Sequence, residues 1–225
     1  MHATLARRSV PLIINLVAMA ACLFGSAGRV DWLNGWVLIG LSLLTGVAAT
    51  AVVWRDPQLV AERRNLQAGE AWDKAIVGFV VLLGPAATWI TAGLDVHHHW
   101  SSGLPAAAVA GGVLGAVLGG VLLAWAMGSN RFFSSVVRLQ RDRGQTVVTG
   151  GPYRFVRHPG YAGSALFMLA TPLILGSPWA FLPAAITVAV MVLRTALEDR
   201  MLQRGLDGYA AYAQSVKSRL IPFVW

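Results

Sequence analysis

The sequence has a single cysteine and few charged side chains. Cys22 is the only cysteine in 225 residues, and it lies inside a hydrophobic run. One thiol excludes a disulfide framework within the chain and a metal site built from several thiolates. Charged residues make up only 12% of the chain and hydrophobic residues 56%, a balance that excludes a soluble domain of ordinary composition. The chain is therefore predicted to be a membrane protein.

A separate basic domain is also missing, although the net charge is +8. The cations are spread over short segments between apolar runs, where anionic lipid headgroups are their expected neighbours. We therefore expect a membrane as partner and no nucleic acid. Three adjacent histidines, His97 to His99, are accompanied by no carboxylate except Asp95. They are predicted to lie in an exposed loop rather than to bind a metal.

The hydrophobic runs predict an all-α fold, a polytopic membrane bundle of about six spans. Four runs are long enough to cross roughly 30 Å of hydrocarbon at about 1.5 Å per residue. They cover residues 10–27, 32–54, 75–94 and 104–127. Two shorter arms, residues 163–175 and 179–193, flank Gly176-Ser177-Pro178. That turn predicts an antiparallel helical hairpin at the C-terminal side of the bundle.

Local features refine this arrangement. Gly84-Pro85 predicts a kink in the third run. Gly111, Gly115 and Gly119 recur at four-residue spacing in the fourth run, a flat strip that favours close packing of another helix. The polar connection 55–74 is predicted to be an amphipathic surface segment.

The distribution of lysine and arginine predicts the orientation. With six spans and a cytoplasmic N-terminus, 17 of the 18 cations fall on the cytoplasmic side, and only Arg29 falls outside. This bias is the positive-inside pattern, so both termini are predicted to be cytoplasmic. The Ala- and Arg-rich composition, with Lys74 and Lys217 as the only lysines, is typical of a bacterial protein. We therefore expect an integral protein of a bacterial inner membrane.

The segment 149–161, Thr-Gly-Gly-Pro-Tyr-Arg-Phe-Val-Arg-His-Pro-Gly-Tyr, contains two arginines, a histidine and two tyrosines in an otherwise very apolar chain. Its glycines and prolines predict an irregular backbone whose amides face water, protein or a polar ligand. Farther on, Arg194 and Glu198 are four residues apart and share a helix face. They either form an ion pair at the membrane edge or face a ligand, and the spacing alone leaves both readings open.

These residues resemble the isoprenylcysteine carboxyl methyltransferase family and its phospholipid methyltransferase relatives. The resemblance extends from about residue 130 to residue 225 and includes Asn130-Arg-Phe-Phe-Ser, Gly151-Pro-Tyr, Arg157-His-Pro-Gly-Tyr, Arg194 with Glu198-Asp199, and Gly208-Tyr-x-x-Tyr before Arg219-Leu-Ile-Pro. The four long runs predict an N-terminal membrane region, 1–127, and the resemblance implies a C-terminal catalytic region, 128–225. The N-terminal spans carry none of these motifs, and we expect acceptor choice to reside there.

The resemblance also implies a cofactor, S-adenosyl-L-methionine, and a set of site residues. The cofactor contacts would be Gln145, Thr146, Val147, Val148, Tyr153, His158, Pro159, Gly160, Tyr161 and Glu198. Arg194 would contact the substrate, and Arg157 and Arg194 would orient its anionic group. The sequence departs from the family at two places: the usual Glu-Glu pair is Glu198-Asp199, and a polar cofactor contact is Arg138.

The reaction implied is methyl transfer to a lipophilic acceptor, in the first place a carboxylate of an isoprenyl-type compound. A carboxylate is already ionised at neutral pH, whereas an amine or a thiol would need a base, for which the sequence offers only His158. A phospholipid amine and a thiol stay open as acceptors. Two other classes stay open as well: a membrane reductase with a nicotinamide cofactor, and a membrane scaffold without enzymatic activity.

Overall fold

The computed structural model describes residues 2–54 and 56–225. Arg55, which the charge count placed in the cytoplasm, lies outside the described residues, as do the side chains of Arg7, Arg8 and Arg64. Throughout the described part of the chain, the regular elements are helical. The main helices are α1 (His2–Ala27), α2 (Leu33–Val53), α3 (Pro57–Arg64), α4 (Ala71–Gly78), α5 (Gly84–His98), α6 (Ala106–Ser129), α7 (Pro159–Leu175), α8 (Phe181–Gly205) and α9 (Tyr209–Ser215).

Within residues 2–54 and 56–225, five helical stretches are long and apolar enough to cross a membrane. They are Val10–Ala27, Leu33–Val53, Ala71–His98, Ala106–Ser129 and Phe181–Gly205. Helix α7 is apolar but shorter, with 17 residues, as predicted for the first arm of the hairpin. The prediction of a polytopic helical membrane bundle is confirmed.

The second arm of the hairpin is longer than predicted. The apolar run ends at Leu193, but α8 continues to Gly205 and has 25 residues. Residues 194–204 contain neither glycine nor proline, so nothing in the backbone stops the helix where the side chains become polar. The turn before α8 is as predicted, because Gly176 ends α7 in the left-handed region with φ 73°.

The third span is irregular just before Gly84-Pro85, where the sequence predicts a kink. A π-helical turn, Phe79–Leu83, joins α4 to α5, and Pro85 lies in the first turn of α5. Proline lacks an amide hydrogen and its ring excludes a regular preceding turn, so a π-helical insertion accommodates it.

Helices α6 and α7 pack at backbone distance. A Cβ built on Gly119 would lie 2.6 Å from the carbonyl oxygen of Gly163, and one built on Gly112 would lie 2.6 Å from Cβ of Leu173. The glycine strip thus serves packing, as predicted. The glycines in contact differ in part from the predicted four-residue series. Gly112 takes part, whereas a Cβ on Gly111 would meet nothing within 4 Å.

This contact gives a prediction for Gly119→Ala. The added methyl group would overlap the α7 backbone, which cannot rotate away, and overpacking of this kind costs about 1–3 kcal/mol. Gly111→Ala is the matched control on the same helix, since its methyl group meets no neighbour and alanine favours the helix by about 0.5–1 kcal/mol. Thermal unfolding in detergent is expected to show a lower Tm for Gly119→Ala only. Equal Tm values for the two variants would contradict the packing.

The two ends of the bundle differ in chemistry. At one end, Asp95 accepts hydrogen bonds from the hydroxyls of Ser101 at 2.9 Å and Ser177 at 2.6 Å, which ties α5 to the hairpin turn. His97 and His98 lie there in the last turn of α5, and His99 follows with φ 52°. They are exposed as predicted, but they end a helix rather than forming a separate loop.

The opposite end holds the motifs. It is built from the segment after α2, the segment between α6 and α7, the polar end of α8, and the tail. The connection 55–74 was predicted to be a surface segment, and this is wrong for two of its acids. Glu62 is 5% exposed and Asp73 is 0% exposed, because each pairs with an arginine from the C-terminal half.

Candidate functional site

The segment between α6 and α7 is held by its own motifs. The side-chain oxygen of Asn130 accepts from the amide of Phe132 at 2.8 Å, and its amide nitrogen donates to Oη of Tyr153 at 3.1 Å. Tyr212 of α9 donates to the carbonyl oxygen of Tyr153 at 2.6 Å. Tyr153 is therefore fixed between the end of α6 and the tail, with its side chain buried.

The segment was predicted to be irregular through Gly160, but a helix begins inside it. Pro159 is the first residue of α7 and His158 precedes it as the N-cap. Proline is favoured at this position because the amide it lacks would have no helical partner. Just before the helix, the amides of Arg157 and His158 donate to the carbonyls of Ser218 at 3.0 Å and Arg219 at 2.9 Å. The start of α7 is thereby bound to the C-terminal tail.

Asp199 is the centre of this attachment. Its carboxylate is 0% exposed and accepts from Arg157 through Nε and Nη2, both at 2.8 Å. Nε of Arg219 lies at 2.9 Å, and Nε2 of His158 lies at 3.2 Å. A buried carboxylate is tolerated only when paired and hydrogen-bonded in this way. Asp199 therefore joins α8 to the N-cap of α7 and to the tail.

Arg157 and His158 are committed to this network. Nη1 of Arg157 donates to the carbonyls of Val216 at 2.6 Å and Lys217 at 2.8 Å. Oη of Tyr209 lies 3.3 Å from Nε2 of His158 and donates to Asp199 at 3.0 Å. Burial, followed by the nearby Asp199 charge, raises the pKa of Tyr209, so its hydroxyl stays protonated and remains a donor. These contacts favour a structural role for Arg157 instead of the predicted contact with the substrate.

Glu198 lies next to Asp199 but has different surroundings. One of its oxygens accepts from Oη of Tyr161 at 2.6 Å. Within the part of the chain that the structure describes, Glu198 makes no ion pair and its other oxygen accepts no hydrogen bond. The ring of Tyr161 stacks on that of His158 with centroids 5.8 Å apart. Glu198, Tyr161 and His158 are thus brought together, as predicted.

Arg194 does not pair with Glu198, although the two are one helical turn apart. Its Nε and Nη2 donate to the two oxygens of Asp73 at 2.7 and 3.0 Å, and its guanidinium lies 5.1 Å from the centre of the Tyr161 ring. The intrahelical ion pair that the spacing allowed is therefore not formed. Arg194 instead donates two parallel hydrogen bonds to Asp73, and a bidentate arginine–carboxylate pair is among the strongest charged contacts in proteins.

The predicted cofactor segment 145–148 lies against the tail. The side-chain oxygen of Gln145 accepts from the amide of Gln140 at 2.7 Å. Val147 packs with Leu202, Tyr209 and Tyr212 in one hydrophobic cluster. Since Tyr209 also contacts His158, the segment reaches the start of α7 through this tyrosine.

Arg138 is a residue at which the sequence departs from the family's pattern. Nε and Nη2 of Arg138 donate to the carboxylate of Glu62 at 2.8 and 2.5 Å, and Nη1 donates to Asp142 at 2.8 Å. The hydrogen bond from Arg138 is the main cause of the lowered pKa of Glu62. Arg138 therefore attaches α3 to the segment before α7.

Sequence reasoning missed several residues of this end. Asp199 was recognised only as a departure from a motif, and Asp73, Glu62 and Tyr209 were not assigned to the site. The sequence did contain a signal for Asp199. Adjacent side chains on a helix point about 100° apart, so Glu198 and Asp199 must have different partners. For Asp73 and Glu62 no local signal exists, because their partners lie 121 and 76 residues away.

A groove of about 420 Å³ opens beside the polar end of α8. Its lining residues are Trp72, Leu139, Leu197, Arg200, Met201, Arg204 and Gly205. None of the predicted cofactor residues belongs to this lining. Glu198 does not line the groove, although its neighbour Leu197 does.

Known proteins resemble the second half of the chain. Residues 107–207 match the family model described as phospholipid methyltransferase. A protein-S-isoprenylcysteine O-methyltransferase B of Arabidopsis thaliana is 30% identical over 98 residues, which are 43% of this chain and 49% of that protein. A probable protein-S-isoprenylcysteine O-methyltransferase of Oryza sativa subsp. indica is 29% identical over 98 residues, 43% of this chain and 51% of that protein.

The chain spans about half the length of the curated relatives that it matches. The matched part contains α6, α7 and α8, and with them Tyr153, His158, Tyr161, Arg194 and Glu198. The resemblance found in the sequence is confirmed, because residues 107–207 match the phospholipid methyltransferase model and the relatives are protein-S-isoprenylcysteine O-methyltransferases.

Proposed function

We propose that the protein is an S-adenosylmethionine-dependent methyltransferase of the membrane that acts on a lipophilic acceptor. The observation that carries the proposal is Glu198, a carboxylate held by Tyr161 at 2.6 Å beside the start of α7. It has no cationic partner among the described side chains, whereas the adjacent Asp199 is saturated. A carboxylate that is fixed in place but has no cationic partner can bind a polar, positively charged ligand.

The residues around Glu198 fit S-adenosylmethionine. The free oxygen of Glu198 suits an ammonium group or a ribose hydroxyl, both of which are donors. The first turn of α7 leaves backbone amides without helical partners, and a helix N-terminus favours a carboxylate. Tyr153, His158, Pro159, Gly160 and Tyr161 would line this site, and residues 145–148 would close it from the side of the tail. When bound, the cofactor supplies a methyl group on a sulfonium centre.

The protein groups favour an acceptor that is already ionised. Nε2 of His158 is engaged by Asp199 and Tyr209, so this ring nitrogen is not free to remove a proton from an amine. A carboxylate needs no such base at neutral pH. Together with the names of the relatives, this supports a carboxylate of an isoprenyl-type compound as the acceptor, with Arg194 binding the anionic group.

The same reasoning supports a location at the cytoplasmic face of a bacterial inner membrane. The end of the bundle that carries Glu198 is the end at which the arginine-rich segments lie. A positive-inside orientation therefore places the site, and both termini, in the cytoplasm. A polar cofactor reaches this face from the cytosol, and a lipophilic acceptor reaches it from the bilayer.

The test is to supply methyl-labelled S-adenosylmethionine to membranes containing the protein and to identify the lipid-extractable species that gains label. We expect a base-labile methyl ester in membranes with the wild-type protein and none in membranes with Glu198→Gln. Label in an amine or thioether would change the acceptor class. Absence of any label, together with thermal stabilisation by a nicotinamide cofactor and none by S-adenosylmethionine, would contradict the proposed function.

A further inference from the structure

We infer that Asp73, which lies in the N-terminal half, is a positioning residue that orients the guanidinium of Arg194 to bind the anionic group of the acceptor. This inference rests on the proposed function, because it concerns how the same site receives its anionic substrate group. Asp73 is in the first turn of α4, in the connection that the sequence assigned to the surface. It makes the N-terminal half part of the active centre.

The Asp73–Arg194 pair is buried at the end of the bundle. Asp73 is 0% and Arg194 6% exposed. Two parallel hydrogen bonds, from Nε at 2.7 Å and from Nη2 at 3.0 Å, fix the plane of the guanidinium. Nη2 also donates to the carbonyl of Ser135 at 3.1 Å. The position of Arg194 is thus determined by partners outside its own helix.

One edge of the guanidinium is not used by these contacts. Nη1 of Arg194 donates to no residue within 2–54 or 56–225. Every fully buried side-chain nitrogen or oxygen in that part of the chain has a partner, so Nη1 retains access to solvent or to a ligand. The guanidinium also lies over the Tyr161 ring, whose hydroxyl binds Glu198. Arg194 therefore presents two free N–H groups beside the proposed cofactor site.

Asp73 can fix this geometry because it is itself fixed. Its Oδ2 accepts from the amide of Val137 at 2.7 Å, and the carbonyl of Val137 accepts from the amide of Glu70 at 3.0 Å. The backbone of Val137 thus binds both the carboxylate of Asp73 and the residue that precedes α4. Support of this kind keeps a functional side chain within the narrow range that binding requires.

The variant to measure is Asp73→Asn, with N-acetyl-S-farnesylcysteine as the acceptor, a carboxylate on a prenyl thioether. The oxygen of an asparagine side chain can still accept one of the two hydrogen bonds from Arg194. Its NH2 group is a donor and cannot accept the other bond, so the guanidinium is expected to turn. We expect the KM for the acceptor to rise about tenfold or more, while the Kd for S-adenosylmethionine stays within about twofold, since an interaction with the acceptor alone is lost.

Asp95→Asn is the matched control. Asp95 is likewise a buried carboxylate, at 3% exposure, and it accepts three hydrogen bonds at the opposite end of the bundle. The same chemical change there is expected to lower the Tm without raising the acceptor KM. A rise in KM with both variants would show that loss of stability explains the effect, and would overturn the inference.

The double variant Asp73→Asn/Arg194→Gln separates positioning from folding. Each single variant leaves one buried charge without its partner, whereas the double variant removes both charges. Its Tm is therefore expected to exceed that of either single variant. Its acceptor KM is expected to stay as high as that of Arg194→Gln. Recovery of the wild-type KM along with the Tm would overturn the inference.

The outcomes distinguish the two proposals. A wild-type protein that binds S-adenosylmethionine and transfers methyl groups, combined with an unchanged acceptor KM in Asp73→Asn, overturns only the role of Asp73. A wild-type protein that does neither overturns the proposed function and the role of Asp73 with it.

Discussion

Glu198→Ala is expected to abolish measurable binding of S-adenosylmethionine, with a loss of about 100-fold or more in Kd, equivalent to about 2.7 kcal/mol. The carboxylate of Glu198 is the acceptor that no described cation occupies, and charge-assisted hydrogen bonds to a ligand are the strong class of such bonds. Isothermal titration calorimetry of the detergent-solubilised protein gives the Kd directly. The Tm of the variant is expected to fall much less than that of Asp199→Ala, because Glu198 accepts one hydrogen bond, from Tyr161 of α7, and makes no ion pair among the described residues.

Asp207→Ala serves as the control for this change. Asp207 is an exposed acid that follows α8, so its loss removes the same charge from the same end without touching Tyr161. We expect its affinity for the cofactor to match that of the wild type. An unchanged Kd in Glu198→Ala, or equal losses in the two variants, would remove the role assigned to Glu198.

Asp199→Ala is expected to destabilise the protein by about 3–5 kcal/mol, the usual cost of removing one partner from a buried ion pair. The variant leaves Arg157 and Arg219 without their carboxylate, and the buried guanidinium of Arg157 carries most of the penalty. The tail then loses its ionic link through Arg219 and keeps its backbone hydrogen bonds to Arg157 and His158. Denaturant unfolding in micelles, followed by tryptophan fluorescence, measures the change.

Asp142→Ala is the control for the second prediction. Asp142 also pairs with an arginine, Arg138, but its side chain is 63% exposed. Solvent screens an exposed ion pair, which contributes little to stability, so little change is expected. If Asp199→Ala unfolded at nearly the same denaturant concentration as Asp142→Ala, Asp199 would not be the centre of the attachment.

The helices were predictable because bilayer thickness fixes the length of an apolar run. The runs 10–27 and 32–54 correspond within one residue to spans in the structure. The hairpin turn was predictable from Gly176 for a local reason, its left-handed backbone. The end of α8 was not, since hydrophobicity reports where the membrane ends and not where the helix ends.

The candidate site was predictable in composition but not in pairing. His158, Tyr161 and Glu198 come together as the motifs imply, because all three lie at the facing ends of one hairpin. Arg194 was assigned either to Glu198 or to a ligand, whereas its partner is Asp73. Pairing over 121 residues depends on how the N-terminal helices pack against the hairpin, and no spacing rule within one helix contains that information.

The most direct test of the account is a structure of the protein with S-adenosylhomocysteine, the product of methyl donation. The account predicts density for this ligand between the start of α7 and Glu198, with Tyr161 and Tyr153 in contact. Density in the groove beside Trp72, Leu139 and Met201, with Glu198 still bound only to Tyr161, would contradict it.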